Sequence, residues 1–164
     1  MEKIAIASDH GGYELKEAIV GFLLGMEIEV LDLGTNSSES VDYPEYGEKC
    51  ARAVVEGEAT RGIVVCGTGI GISIAANKVK GIRCALCTSQ QMAELSRRHN
   101  DANVLALGGR TTDIATAMTI VNTWLFTDFE GGRHQRRIDM IEEIMENGYR
   151  LWFEACQFYS MIDR

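Results

Sequence analysis

The chain has 164 residues, 46% of them apolar, which is enough for one domain with a substantial core and too apolar for a disordered chain. Its formal charge of -8 opposes nonspecific nucleic-acid binding but leaves room for a local basic pocket. No apolar run reaches bilayer-spanning length, the N-terminus opens on a predicted strand instead of a signal peptide, and five cysteines point to reduced thiols in a cytoplasm.

The first predicted element is a strand over Lys3–Ser8, followed by Gly11-Gly12 and a helix over Tyr13–Leu24. A strand over Ile28–Leu33 and a helix over Tyr43–Glu56 come next. Ile63–Val65 reads as strand, Ile72–Lys78 as a short helix and Ile82–Cys87 as strand. The alternation closes with a helix over Ser89–Arg98, a strand over Asn103–Leu107 and a helix over Thr112–Phe126. Five strand–helix steps predict an α/β fold, a Rossmann-like three-layer sandwich around a five-stranded parallel sheet. Right-handed crossovers then gather the loops after the strands on one rim.

After Phe129 the character changes. Glu130-Gly131-Gly132-Arg133 reads as a break, His134–Glu146 as a charged amphipathic helix, and Tyr149–Phe158 as an aromatic segment carrying Trp152, Phe153 and Phe158. Residues 130–164 are expected to be a helical extension of the single domain 1–164 whose aromatic tail makes a subunit contact, the alternative being that it covers its own subunit.

The chemistry-bearing residues sit where the strands end. Cys66 closes an apolar run and precedes Gly67-Thr68-Gly69-Ile70-Gly71, which has neither the dinucleotide GxGxxG spacing nor a P-loop lysine. Glycine permits close approach of a ligand to the backbone, and successive amides there can bind an anion. Cys66 can act as a base, with Thr68 and the loop stabilising a developing oxyanion, or as a hydrolase nucleophile. Asp9 can orient an imidazole or a sugar hydroxyl, and His10 can donate to an anionic substrate; a capping arrangement is the alternative. His99 can serve as acid or base and Asn100 can hydrogen-bond an enediolate, or both can simply be a polar helix terminus. Arg133 and Arg137 share a helix face and can clamp a phosphate, with Arg110 completing the pocket; the alternative is a solvated basic patch. Cys84-Ala85-Leu86-Cys87 matches CxxC but lies in a predicted strand, so it is read as packing, like Cys50 and Cys156.

One ordered set of segments is highly specific: Ser8-Asp9-His10-Gly11-Gly12, Asp42-Tyr43-Pro44, Cys66-Gly67-Thr68-Gly69-Ile70-Gly71-Ile72, Arg97-Arg98-His99-Asn100 and Glu130-Gly131-Gly132-Arg133-His134. The set resembles the ribose-5-phosphate isomerase type B and galactose-6-phosphate isomerase family, closest to the ribose branch, over about residues 3–147. The resemblance implies a cytoplasmic, cofactor-independent aldose–ketose isomerase with no metal, acting on a phosphorylated sugar in the pentose phosphate pathway. It implies a homodimer or dimer of dimers, with the site completed across a subunit boundary. On the family pattern Cys66 is the base, His99 assists ring opening, and Asp9 and Thr68 handle sugar-oxygen protons. The Gly67–Gly71 loop, with Gly69 and Ile70, stabilises a cis-enediolate; Tyr43 lines the sugar pocket, and His10, Arg110, Arg133 and Arg137 take the phosphate. Ribose 5-phosphate and ribulose 5-phosphate are the expected pair, with a hexose 6-phosphate such as galactose or allose 6-phosphate as the alternative. No nucleic-acid or membrane partner is expected, and a non-catalytic flavodoxin-like binding or regulatory module is the competing class.

Overall fold

A computed structural model describes residues 2–144. The chain divides into two compact units, one ending at Glu130 and one beginning at Gly131. The first holds five strands and five helices in strict alternation: β1 (Lys3–Ser8), α1 (Tyr13–Gly25), β2 (Glu29–Asp32), α2 (Tyr43–Val55), β3 (Arg61–Cys66), α3 (Ile70–Ala76), β4 (Cys84–Leu86), α4 (Gln90–Asn100), β5 (Val104–Gly108) and α5 (Ile114–Leu125). All neighbouring strands pair in parallel, in the order β2-β1-β3-β5-β4. The predicted α/β sandwich is therefore the observed fold. In the second unit residues 133–144 are helical, and the predicted Tyr149–Phe158 segment lies outside the described residues. No described helix is long and apolar enough to cross a membrane.

Side-chain size on the central strands decides how the layers pack. Ile4 and Ile6, Ile63 and Val65, and Leu105 and Leu107 face α1 and α5 in one buried cluster. The alternate positions are smaller. Ala5, Ala7, Val64, Cys66 and Ala106 face α2 and α3 in the other cluster, with Cys50 and Ala51 of α2 against them. Period-two alternation with both faces covered accounts for the nearly unbroken apolar strands of the sequence.

Three boundaries differ from the predicted ones in ways that bear on the site. Helix α3 begins at Ile70, so Ile70 and Gly71 belong to its first turn and not to a loop. Strand β4 ends at Leu86, and Cys84 and Cys87 pack into opposite clusters, which fits packing thiols better than a redox pair. Helix α4 runs through Asn100, because Asp101 takes the left-handed conformation (φ 44°) that ends it.

The loops leaving β1, β3 and β5 meet backbone against backbone through glycine. A Cβ on Gly12 would stand 2.5 Å from the Val65 carbonyl oxygen, and one on Gly109 would stand 2.6 Å from that of Gly11. One on Gly108 would meet the Thr68 carbonyl carbon at 2.8 Å. The Gly109 N–H also donates to the Cys66 carbonyl at 2.7 Å, and Asp9 N–H donates to the Val65 carbonyl at 3.2 Å. Gly12→Ala should therefore destabilise the fold by about 1–3 kcal/mol, since rigid backbone has to move. Gly21→Ala, in the open middle of α1, should instead stabilise it by roughly 0.5–1 kcal/mol. Urea unfolding followed by far-ultraviolet circular dichroism reads both. An unchanged midpoint for Gly12→Ala would mean that the loops part freely.

Candidate active site

Strand order reverses at β1, with β2 on one side and β3 on the other, and the carboxyl ends of such strands flank a crevice. Cys66 ends β3 there. Its side chain is only 4% exposed, and its Sγ accepts the Gly69 N–H at 3.2 Å. A donor aimed at sulfur stabilises negative charge on it. Gly69 can cap α3 in this way because it sits at φ 77°, where a Cβ would strike Leu86 at 2.5 Å and the Leu107 carbonyl carbon at 2.8 Å. Thr68 is exposed, and its Oγ1 accepts the Ile70 N–H at 3.3 Å. No hydrogen bond to a described residue engages the N–H groups of Gly67, Thr68 and Gly71. They remain available to an oxyanion.

Neighbouring loops bring four further residues to this rim. Asp9 is buried at the end of β1, and its Oδ1 accepts the Gly12 N–H at 3.0 Å, which fixes the carboxylate at the mouth of α1. His10 is held through Nδ1, 3.2 Å from both the nitrogen and the carbonyl oxygen of Val41. Either tautomer is anchored, and Nε2 is left to face a ligand. Tyr43 opens α2 and lays its ring where a Gly71 side chain would be, with the hydroxyl 3.0 Å from that Cβ position. Arg110 follows β5. Its N–H donates to the Gly67 carbonyl at 2.9 Å, and its exposed side chain runs over Gly67.

His99 and Asn100 are not brought to this rim. They end α4, where Arg83 Nε, just ahead of β4, donates to the Asn100 carbonyl at 2.9 Å. That is the amino end of the parallel sheet. The five residues of β5 separate the two edges, a span of roughly 16 Å at about 3.3 Å per residue. His99 Nε2 lies 3.9 Å from Glu130 Oε2, and Glu130 also accepts from Arg98 Nε at 2.6 Å. Arg133 and Arg137 lie in the second unit, both exposed and one helical turn apart. Arg133 Nε is 3.4 Å from His134 Nε2.

Sequence reasoning overlooked Gly12, Gly108 and Gly109 as contact points between loops, although glycine pairs after strands are a readable sign of close backbone approach. It also overlooked Glu130, whose role depends on a partner 32 residues away in sequence.

Comparison with known proteins agrees with this arrangement. The family described as Ribose/Galactose Isomerase matches residues 4–141. The chain belongs to that family. Ribose-5-phosphate isomerase B of Escherichia coli strain K12 is 51% identical over 144 residues, 88% of this chain and 97% of its own. The structure of Clostridium thermocellum ribose-5-phosphate isomerase B superposes with a TM-score of 0.88 at 58% identity, covering 88% of this chain and 98% of that one. The Mycoplasma genitalium ribose-5-phosphate isomerase B, solved with bound ribulose-5-phosphate, has a TM-score of 0.84 at 43% identity, covering 88% of this chain and 96% of that one. Family membership sets aside the flavodoxin-like binding module.

The four described cysteines are free thiols in unlike settings. Burial pushes the Cys50 thiol up to about 12 and that of Cys87 up to about 11, and it raises that of Cys84 as well. Only Cys66 receives a main-chain N–H at sulfur among them. Brief iodoacetamide treatment of the folded protein near neutral pH should alkylate Cys66 ahead of Cys50, Cys84 and Cys87, as read by peptide mass spectrometry. Earlier labelling of Cys50 or Cys87 would contradict the assignment of Cys66 as the reactive thiol.

Proposed function

We propose that this chain interconverts D-ribose 5-phosphate and D-ribulose 5-phosphate through a cis-enediolate, with Cys66 as the carbon base. The observation that carries the reading is a thiol at the β1/β3 crevice that accepts an N–H, beside three main-chain N–H groups with no partner among the described residues. It joins the family membership and the substrates named for the relatives.

His99 assists opening of the cyclic aldose. The Cys66 thiolate takes the proton from C2, and the electron pair moves into the C1–C2 bond as the aldehyde oxygen gains negative charge. The N–H groups of Gly67, Thr68 and Gly71 stabilise that charge where it develops. Asp9 and Thr68 pass the proton of the C2 hydroxyl to the C1 oxygen, and Cys66 returns its proton to C1. The balance closes without an external oxidant. Tyr43 walls the sugar, with Gly69 and Ile70 shaping the turn beneath it, and Asn100 hydrogen-bonds the enediolate. His10, Arg110, Arg133 and Arg137 are assigned to the phosphate, where charge-assisted contacts hold the remote end so that C2 lies against sulfur.

The opposite placement of Cys66 and His99 on the sheet favours a site shared by two copies of the chain. Ile70 and Ile74 are 53% and 56% exposed on α3 beside the site, an apolar face suited to a second copy. Free thiols suit a cytoplasmic setting.

Cys66→Ala should abolish turnover while leaving substrate binding intact. Arg133→Ala or Arg137→Ala should raise KM about ten- to a hundredfold, as expected for a lost charged hydrogen bond. Mixing Cys66→Ala with His99→Ala protein and allowing subunit exchange should restore activity, because one site of the hybrid then holds both intact residues. No recovery after verified exchange would contradict the shared site. A higher kcat/KM for hexose than for pentose phosphates would overturn the choice of substrate.

A further inference from the structure

Lys16 is a charged group the reaction leaves unused, and its side chain is completely buried in the first turn of α1. Its ammonium lies 2.7 Å from Asp32 Oδ2 and 2.6 Å from Glu17 Oε1, with the Tyr13 ring 5.6 Å away. A buried ammonium is tolerated only when paired, and these two carboxylates are partly exposed while the lysine is not. Burial opposes its charge, but the hydrogen bonds to Asp32 and Glu17 outweigh that and raise its pKa above the ordinary value.

What Lys16 holds is the end of β2. The second carboxylate oxygen of Asp32, Oδ1, accepts the Gly34 N–H at 2.9 Å. Gly34 in turn accepts the Ser8 N–H at 2.6 Å, and Thr35 N–H donates to the Ser8 carbonyl at 2.8 Å. Ser8 directly precedes Asp9 and His10. The far end of the same β2–α2 loop reaches His10 again through Val41. Three consecutive hydrogen bonds, Lys16 to Asp32, Gly34 to Asp32 and Ser8 to Gly34, thus lead from the buried ammonium to Ser8, one peptide bond from the carboxylate at the mouth of the site, with the Thr35–Ser8 bond beside the last of them.

We infer that Lys16 is a positioning residue, which clamps Asp32 so that Gly34 and Thr35 pin Ser8 and set Asp9 against the substrate. The inference rests on the assignment of Asp9 to the sugar-oxygen protons. Lys16 touches neither Asp9 nor substrate and acts only through the order of the loop. Loss of a salt bridge that merely stabilised the fold would lower the melting temperature and leave kcat alone. A clamp acting on the geometry of proton transfer lowers kcat with little change in KM, since Arg110, Arg133 and Arg137 of the assigned phosphate residues lie outside this loop and His10 keeps its own anchor at Val41.

The test is a cycle of Lys16→Met, Asp32→Ala and the double variant, with Asp9→Asn measured alongside. The double variant removes both charges together, so it keeps the test readable if Lys16→Met alone does not fold. Each folded member of the cycle is expected to lose about ten- to a hundredfold in kcat, with KM within about twofold. The double variant should lose no more than either single, as for two residues acting as one unit. Wild-type kcat in the folded double variant, or losses that multiply, would overturn the clamp. If Asp9→Asn loses kcat while Lys16→Met and the double keep it, only the inference fails. If Asp9→Asn itself keeps kcat, the role of Asp9 and the clamp fail together.

Discussion

Backbone contact between the loops leaving β1, β3 and β5 is the constraint on which the site depends. Gly11 and Gly12 lie against Val65 and Gly67, Gly108 against Thr68, and Gly109 against Gly11. A Cβ at these points would stand 2.5–3.1 Å from facing backbone atoms, so the loops would have to shift. Because none is present, Gly109 can hold the Cys66 carbonyl, Asp9 can hold the Val65 carbonyl, and the turn after Cys66 can fold back onto its own sulfur. The rim is a lattice of main-chain contacts with a few side chains set into it. Such a lattice is rigid, and a site built on it need not reorganise when charge moves from carbon to oxygen.

The electrostatics follow from the same construction. The chain as a whole carries a charge of -8, yet the residues assigned to the anionic substrate are His10, Arg110, Arg133, Arg137 and uncharged N–H groups. The thiols show how environment divides one residue type. Cys50 lies on the sheet-facing side of α2, where burial pushes its thiol up, whereas Cys66, also buried, accepts an N–H at sulfur. Small residues on that face of the sheet let α2 and α3 pack closely against it, which buries both thiols.

Most of this was legible in the sequence because the signals are local. Short strand-forming segments of three to six residues alternating with helical patterns point to the sheet, and the glycine-rich segment after Cys66 points to the rim. Errors at boundaries had local causes as well. The sequence predicts the start of α3 at Ile72, since glycine disfavours helix, whereas Gly71 is helical and the Tyr43 ring lies against it. The end of α4 was missed by two residues because the left-handed Asp101 carries none of glycine's signature. Long-range pairings left no trace in the sequence. Nothing near Lys16 announces Asp32, nothing near Arg98 announces Glu130, and no spacing reveals that His99 lies across the sheet from Cys66.

The central claim is that Cys66 moves a proton between two carbons of a phosphorylated sugar. Isomerisation in deuterated water, followed by NMR of the recovered sugars, tests it most directly. The wild-type enzyme should place deuterium at C1 of ribulose 5-phosphate and at C2 of recovered ribose 5-phosphate. Folded Cys66→Ser, still able to bind substrate, should place it at neither. Deuterium entering the sugar at the wild-type rate in that variant would contradict the account.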